Sequence, residues 1–241
     1  MKNPKYMYDS YLKEFETTVK KANSKFIVLE DTIIYPTSGG QPHDTATLMR
    51  ENGDEFKVVF SGKFNGELSN EIDREGLKED DKVKIILDWD RRYKHMRYHT
   101  AAHIISGILH KQAGALITGN QISEEKLRID FNLDNFDREE LQKYIDFANE
   151  EIKKDIEVKA YFKPKEEAMK LPGLIKLANA APPDLDILRI VEIPGVDLCA
   201  DGGTHVRSTK EVGRVELVKV ENKGKNNRRM YVKIPENSLI G

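Results

Sequence analysis

The stretch from Tyr93 to Gln112, YKHMRYHTAAHIISGILHKQ, contains no proline and one glycine, so little in it interrupts a long helix. Met96, Ala101, Ile104, Ile105 and Ile108 fall at helical spacing and predict one buried side. Asp90 is the expected N-cap and Gly114 the expected stop. His99 and His103 stand four apart and therefore project from one face, one turn above the other. Two imidazoles so placed can grip one metal ion, although such pairs also arise in ordinary helices. His95 lies one turn earlier on that face, and His110 lies near the end.

About a hundred residues downstream, Val196 to Val206 reads VDLCADGGTHV. The only cysteine, Cys199, sits in this glycine-rich turn with His205. Zinc prefers histidine nitrogen and cysteine sulfur in a tetrahedral set. Two ligands from a helix and two from a distant turn would build one. A buried, inert thiol is the alternative reading of Cys199.

The 241 residues allow one large domain or two modest ones. A hydrophobic content of 39% is adequate for a core, and 33% charged residues imply a soluble surface. No apolar run approaches the ~18 residues of a membrane helix, and the opening MKNPKYMYDSY lacks the apolar segment of a signal peptide. A lone cysteine excludes an internal disulfide and suits a reducing compartment, so the expected location is the cytoplasm, with no membrane partner.

The net charge of −2 gives no global sign of nucleic-acid binding. Its distribution says more. Arg207 to Lys233 carries nine basic residues against three acidic ones, and Arg91, Arg92, Lys94 and Arg97 form a second basic group at the start of the histidine helix. Such groups are either phosphate footprints or solvated faces.

Up to about Asp88 the chain reads as mostly strand: Phe26 to Leu29, Thr32 to Tyr35, Phe56 to Phe60 and Lys82 to Leu87, parted by turns at Asn52-Gly53 and Asn65-Gly66. Short strands at this spacing suggest a small barrel or sandwich. Between them, Tyr35 to Asp44 reads YPTSGGQPHD, whose paired glycines permit positive φ and close backbone approach. Beyond the histidine helix, Lys126 to Phe131, Ile156 to Phe162 and Leu188 to Ile193 are expected strands, Arg138 to Lys153 an amphipathic helix, and Pro164 to Ala178 a short helical stretch. Val215 to Val220 and Arg229 to Ile234 bracket a basic hairpin tip. The expected organisation is α+β: residues 1–89 form a small barrel-like β domain, and residues 90–241 form an α+β domain with an antiparallel sheet and a long zinc-bearing helix.

HTAAH at 99–103 with GGTHV at 202–206, the Tyr35-x-x-x-Gly39-Gly40-Gln41-x-x-Asp44 loop and LRIDF at 127–131 together resemble the alanyl-tRNA editing proteins of the AlaX type, medium-length class, and the editing domain of alanyl-tRNA synthetases. The resemblance covers nearly all the chain. It implies one zinc per chain, held by His99, His103, His205 and a fourth ligand. Aligning GGTH puts Asp201 at the family's cysteine position; aligning Val-Asp-Leu-Cys keeps Cys199 and makes Ala200 and Asp201 an insertion. Spacing thus favours Asp201, and ligand softness favours Cys199.

The resemblance further implies a hydrolase that cleaves the ester of mischarged Ser-tRNA(Ala), and in this length class Gly-tRNA(Ala), with mischarged tRNA(Ala) as partner. A synthetase pocket excludes neither a smaller amino acid nor an added hydroxyl strongly, which is why a second site is needed. Gln41 is the candidate donor to the ester or terminal ribose. Thr118 is the candidate contact for the serine hydroxyl, or else a loop threonine bonded to its own backbone. Two other classes stay open: a zinc hydrolase of another substrate class, although HTAAH lacks the glutamate of His-Glu-x-x-His, and a non-catalytic RNA-binding module with a structural zinc. The threonyl-tRNA synthetase editing domain has a similar zinc set, but the Gly-Gly-Gln loop points to alanine.

Overall fold

The structure is a computed structural model, and it describes residues 3–133, 137–171, 174, 185–224 and 227–236. The chain divides into two compact units, Met1–His95 and Met96–Gly241. The fold class is α+β with antiparallel sheets, as the sequence implies.

The first unit is a closed six-stranded barrel. Its strands are β1 (Glu14–Asn23), β2 (Phe26–Leu29), β3 (Ala46–Arg50), β4 (Glu55–Phe64), β5 (Glu67–Ile72) and β6 (Lys82–Leu87), in the order β1-β2-β5-β4-β3-β6. All pairs are antiparallel. Alternation fills the interior: Val83, Ile85 and Leu87 of β6 point inward with Phe56 and Val58 of β4, Leu48 of β3 and Val19 of β1. The stretch Thr32 to Tyr35 is buried but belongs to no strand. β1, β3 and β5 were not among the expected strands, because their charged and polar outward positions dilute the β pattern.

The helix α1, Trp89–Ala113, is longer than the sequence suggests. Asp88, rather than Asp90, accepts the Arg91 amide at its start (3.3 Å). Gly114, at φ +64°, ends it as expected and returns its N–H to the His110 carbonyl. From Met96 to Leu109 nearly every residue is buried, so α1 is a core helix rather than a one-sided one.

The second unit adds β7 (Ile117–Ile122), β8 (Leu127–Phe131), α2 (Arg138–Lys153), β9 (Lys159–Pro164), α3 (Lys165–Ala168), β10 (Ile187–Ile193), β11 (Asp197–Ala200), β12 (Glu216–Asn222) and β13 (Arg228–Lys233). They form a sheet β11-β10-β9 and a sheet β12-β13-β8-β7. α2 has the expected bounds; Asp137 caps it, and Leu141, Tyr144, Ile145, Ala148 and Ile152 form its buried stripe. Of the helical stretch expected over 164–178, α3 is the described part; residues 172–173 and 175–178 lie outside the described residues. Gly107 has a packing reason: a Cβ there would lie 2.4 Å from the Val196 carbonyl oxygen, so glycine lets α1 touch the β10–β11 turn. Among the described residues no helix is long and apolar enough to cross a membrane.

His95 is fully buried, and among the described residues neither of its ring nitrogens has a hydrogen-bond partner. Burial, then the charges of Arg91 and Arg92, push its pKa down to about 3. The folded chain therefore keeps His95 neutral where the unfolded chain takes up a proton, below about pH 6.5. Stability should fall as pH drops below 6.5. Urea unfolding at pH 7 and pH 5 should show the parent losing about 2 kcal/mol more than His95→Leu across that interval. At pH 7 the leucine variant should already be about 1–3 kcal/mol more stable, because an unsatisfied polar group is gone. Parallel pH curves for the two proteins would contradict this account.

Candidate metal centre

Helix α1 and the segment after β11 bring four side chains together. Ligand atoms of His99, His103, Asp201 and His205 all lie within 4.8 Å of one another. His99 and His103 come from one face of α1. Asp201 and His205 come from the glycine-containing turn, four residues apart. Asp201 Oδ2 stands 3.0 Å from His205 Nε2, and Asp201 Oδ1 stands 3.6 Å from His99 Nε2.

A second set of contacts fixes which nitrogen the His103 and His205 rings present. His103 Nδ1 lies 2.8 Å from Asp197 Oδ2, at the start of β11, which leaves Nε2 for the group. His205 Nδ1 lies 3.2 Å from Thr100 Oγ1, which also accepts the Val206 amide at 3.3 Å. The Gly203 amide donates to Asp201 Oδ2 at 2.6 Å. Arg189 of β10 donates to the carbonyls of Asp201 and Gly203, both at 3.0 Å, and so clamps the turn. A Cβ on Gly203 would fall 2.0 Å from His99 Cε1; only glycine lets the backbone come this close.

Electrostatics suit a metal. Burial pushes His99 well below the histidine range and His205 down to about 4, so both rings are neutral and can offer lone pairs. Burial alone would raise the Asp201 carboxyl. The neighbouring imidazoles, His99 first, outweigh it and hold the group well below the carboxylate range. Three imidazole nitrogens and one carboxylate oxygen, with outer partners on His103, His205 and Asp201 and a glycine packed against His99, fit a divalent transition metal.

Cys199 lies outside the group. It sits on β11 opposite Val191, half-buried, with Sγ 3.6 Å from the Ala200 carbonyl. Leu198 and Ala200 pack on a small core with Leu188 and Ile190, so alternation turns Cys199 to the other face of β11, the face of Asp197. Asp201, just past the end of the strand, is the residue whose carboxylate joins the three histidines.

Thr118 is exposed on β7, and its hydroxyl donates to Asn227 Oδ1 at 3.2 Å. Gln41 is fully buried in the first unit, its backbone paired with Ser38 across the Gly39-Gly40 turn. The same loop is tied at its base by Asp44, which accepts the Tyr35 amide at 2.6 Å and forms a fully buried ion pair with Arg92.

That pair corrects the reading of the basic groups. Arg92 is not a surface cation: its guanidinium also donates to the carbonyls of Ser10 and Ile33. Arg97 donates to the Val212 carbonyl. At the hairpin, Arg228 is buried and clamps the turn through Asn222, Gly224 and Asn227, and Arg229 makes a two-pronged pair with Asp130 at 2.6 and 2.9 Å. Lys223 reaches Glu221, and Lys225 lies outside the described residues. A run of cations looks alike in sequence whether it faces water or a partner.

Each of the two units matches a family of aminoacyl-tRNA synthetase domains. Residues 188–231 match the family described as threonyl and alanyl tRNA synthetase second additional domain, and residues 5–91 match tRNA synthetases class II (A). The chain belongs to the AlaX-M family of alanyl-tRNA editing proteins. It is 50% identical over 94% of its length to the alanyl-tRNA editing protein AlaX-M of Methanosarcina barkeri, covering 96% of that protein. It is 49% identical, with the same coverages, to that of Saccharolobus solfataricus. The alanine–tRNA ligase of Pyrococcus abyssi is 34% identical over 90% of this chain, which spans 24% of the ligase.

Proposed function

We propose that this chain is a free-standing editing hydrolase that deacylates Ser-tRNA(Ala), with Gly-tRNA(Ala) as a second substrate, in the cytoplasm. Water adds to the ester carbonyl, the bond to the terminal ribose oxygen breaks, and free amino acid and uncharged tRNA leave. The observation carrying this reading is the buried His99–His103–Asp201–His205 group in a chain half identical, over almost its whole length, to alanyl-tRNA editing proteins.

Zinc is the metal we assign to that group; when bound it supplies charge to polarise or position a substrate oxygen. The chain's own residues set up the rest. Asp197 and Thr100 hold the His103 and His205 rings with Nε2 toward the group. Gln41 is assigned to the ester or terminal ribose. Thr118 is assigned to the serine hydroxyl, which would share it with Asn227. A site that bonds a hydroxyl rejects alanine because alanine leaves its polar groups unpaired.

Purified protein should release serine from Ser-tRNA(Ala) and spare Ala-tRNA(Ala), with Ser-tRNA(Thr) as control. Thr118→Val should erode discrimination against alanine more than it weakens tRNA binding. Binding without release of serine above background would favour an RNA-binding module with a structural metal.

The ligand set has its own test. Cobalt-substituted protein should lack a thiolate charge-transfer band in the near ultraviolet. Asp201→Ala should lose metal while Cys199→Ser keeps about one equivalent. A strong band that vanishes in Cys199→Ser would return the fourth position to the cysteine.

A further inference from the structure

Strand β4 carries apolar residues at every second position from Phe56: Val58, Phe60, then Gly62 and Phe64. Unbroken alternation would send them all to one face. The pairing of β4 with β5 slips between Val58 and Phe60, and this bulge divides the row. Phe56 and Val58 point into the barrel, whereas beyond the slip Ser61 is the buried residue and Phe64 stands 55% exposed. The bulge therefore moves aromatic side chains from the core to the surface.

On that surface three rings follow one another. The Phe60 and Phe64 ring centroids are 6.2 Å apart, and the His43 ring stands 5.0 Å from Phe60. A Cβ on Gly62 would lie 2.8 Å from Phe60 and 3.1 Å from Phe64, so the two phenyl rings close over the glycine and a side chain there would push them apart. His43 is fixed through both nitrogens, Nδ1 to Thr37 Oγ1 and Nε2 to the Val59 carbonyl, each at 3.1 Å. Its carbonyl accepts Arg91 Nε at 3.2 Å, which puts a guanidinium at the same end of the row. His43 lies two residues after Gln41, and the Thr37 amide ties this loop to Ser61 of β4.

We propose that His43, Phe60 and Phe64 form a stacking ladder for the unpaired nucleotides at the 3′ end of the RNA substrate, with Arg91 beside their phosphates. The identity of the RNA rests on the function proposed above. Unpaired bases stack on successive aromatic rings without regard to sequence, and a nearby cation tracks the backbone. The ladder leads away from the Gly39-Gly40-Gln41 loop, so nucleotides running along it would bring the 3′ end to that loop. An isolated exposed phenylalanine needs no explanation. A bulge, a glycine under the rings and a pinned imidazole that together build a row of rings do.

The test compares binding of two RNA hairpins, one with four unpaired 3′ nucleotides and one blunt, by the full chain. The parent should prefer the overhang. Phe64→Ala should lose on the order of ten-fold in affinity for the overhang, with little change for the blunt hairpin, and Phe64→Trp should keep the preference. Gly62→Thr, which pushes the rings apart, should behave like Phe64→Ala. Equal binding of both hairpins by parent and variants overturns the ladder. So does a loss of thermal stability in Phe64→Ala with unchanged RNA preference, which would show that the rings only shield Gly62. A change in sedimentation with unchanged preference would overturn it too, making the row a contact between copies. Serine release from Ser-tRNA(Ala) is scored separately: its failure in the parent removes the proposed hydrolase but not the ladder, which the hairpins judge alone.

Discussion

Gly203→Ala should cost the protein most of its metal affinity, at least the 10–100-fold typical of losing a supporting contact around a metal ligand. The added methyl would sit 2.0 Å from His99 Cε1, 2.4 Å from His99 Nδ1 and 3.0 Å from Asp201 Oδ2. His99 cannot yield, because it projects from a helix buried on almost every side. The turn cannot yield freely either, because Arg189 holds the carbonyls on both sides of Gly202. Whichever moves must shift by an ångström or more, against the ±0.2 Å that metal ligation tolerates. Elemental analysis and competition against a chelator would measure the loss. Metal binding at parental affinity would show that the turn and the ring are not the neighbours described here. His103→Ala, which removes a ligand outright, gives the lower bound for comparison.

Asp44→Ala should destabilise the first unit by about 3–5 kcal/mol, the cost of leaving a buried charge without its partner. Arg92 and Asp44 are both fully buried; Nε stands 2.9 and 3.1 Å from the two carboxylate oxygens. The same carboxylate accepts the Tyr35 amide, so its loss also opens the base of the Gly-Gly-Gln loop. Arg92→Met should be similarly severe. The double variant Asp44→Ala/Arg92→Met should cost less than the two losses added together, since no charge is then stranded. Denaturant midpoints for the four proteins complete the cycle. Strict additivity would mean that the two side chains do not act as a pair.

These two sites also show what the sequence disclosed and what it hid. His99, His103 and His205 were legible because metal-ligating types recur at helical spacing and again in a glycine-rich turn. The choice between Cys199 and Asp201 was not, since spacing and ligand softness pull in opposite directions. Only the folded turn shows that Asp201, and not Cys199, comes together with the three histidines. Asp197 and Thr100 gave no local signal at all, because their partners lie 94 and 105 residues away. The barrel's strands over 26–29, 56–60 and 82–87 could be read from their apolar pattern, whereas β1, rich in Glu, Thr and Lys, and β5, rich in Glu, Ser and Asn, could not. Arg92 was hidden in the same way: a cation's burial depends on an acid 48 residues earlier.

The order in which the ligands are made has a consequence of its own. Translation finishes His99 and His103 on the order of a hundred residues before Asp201 and His205. At roughly 5–20 residues per second, that delay is on the order of 5–20 s. During it α1 carries two imidazoles toward a core whose remaining ligands do not yet exist, and a stray ion meets two ligands instead of four. A metal that engages all four side chains can therefore load, and tie α1 to the turn, only once the GGTH segment has been synthesised.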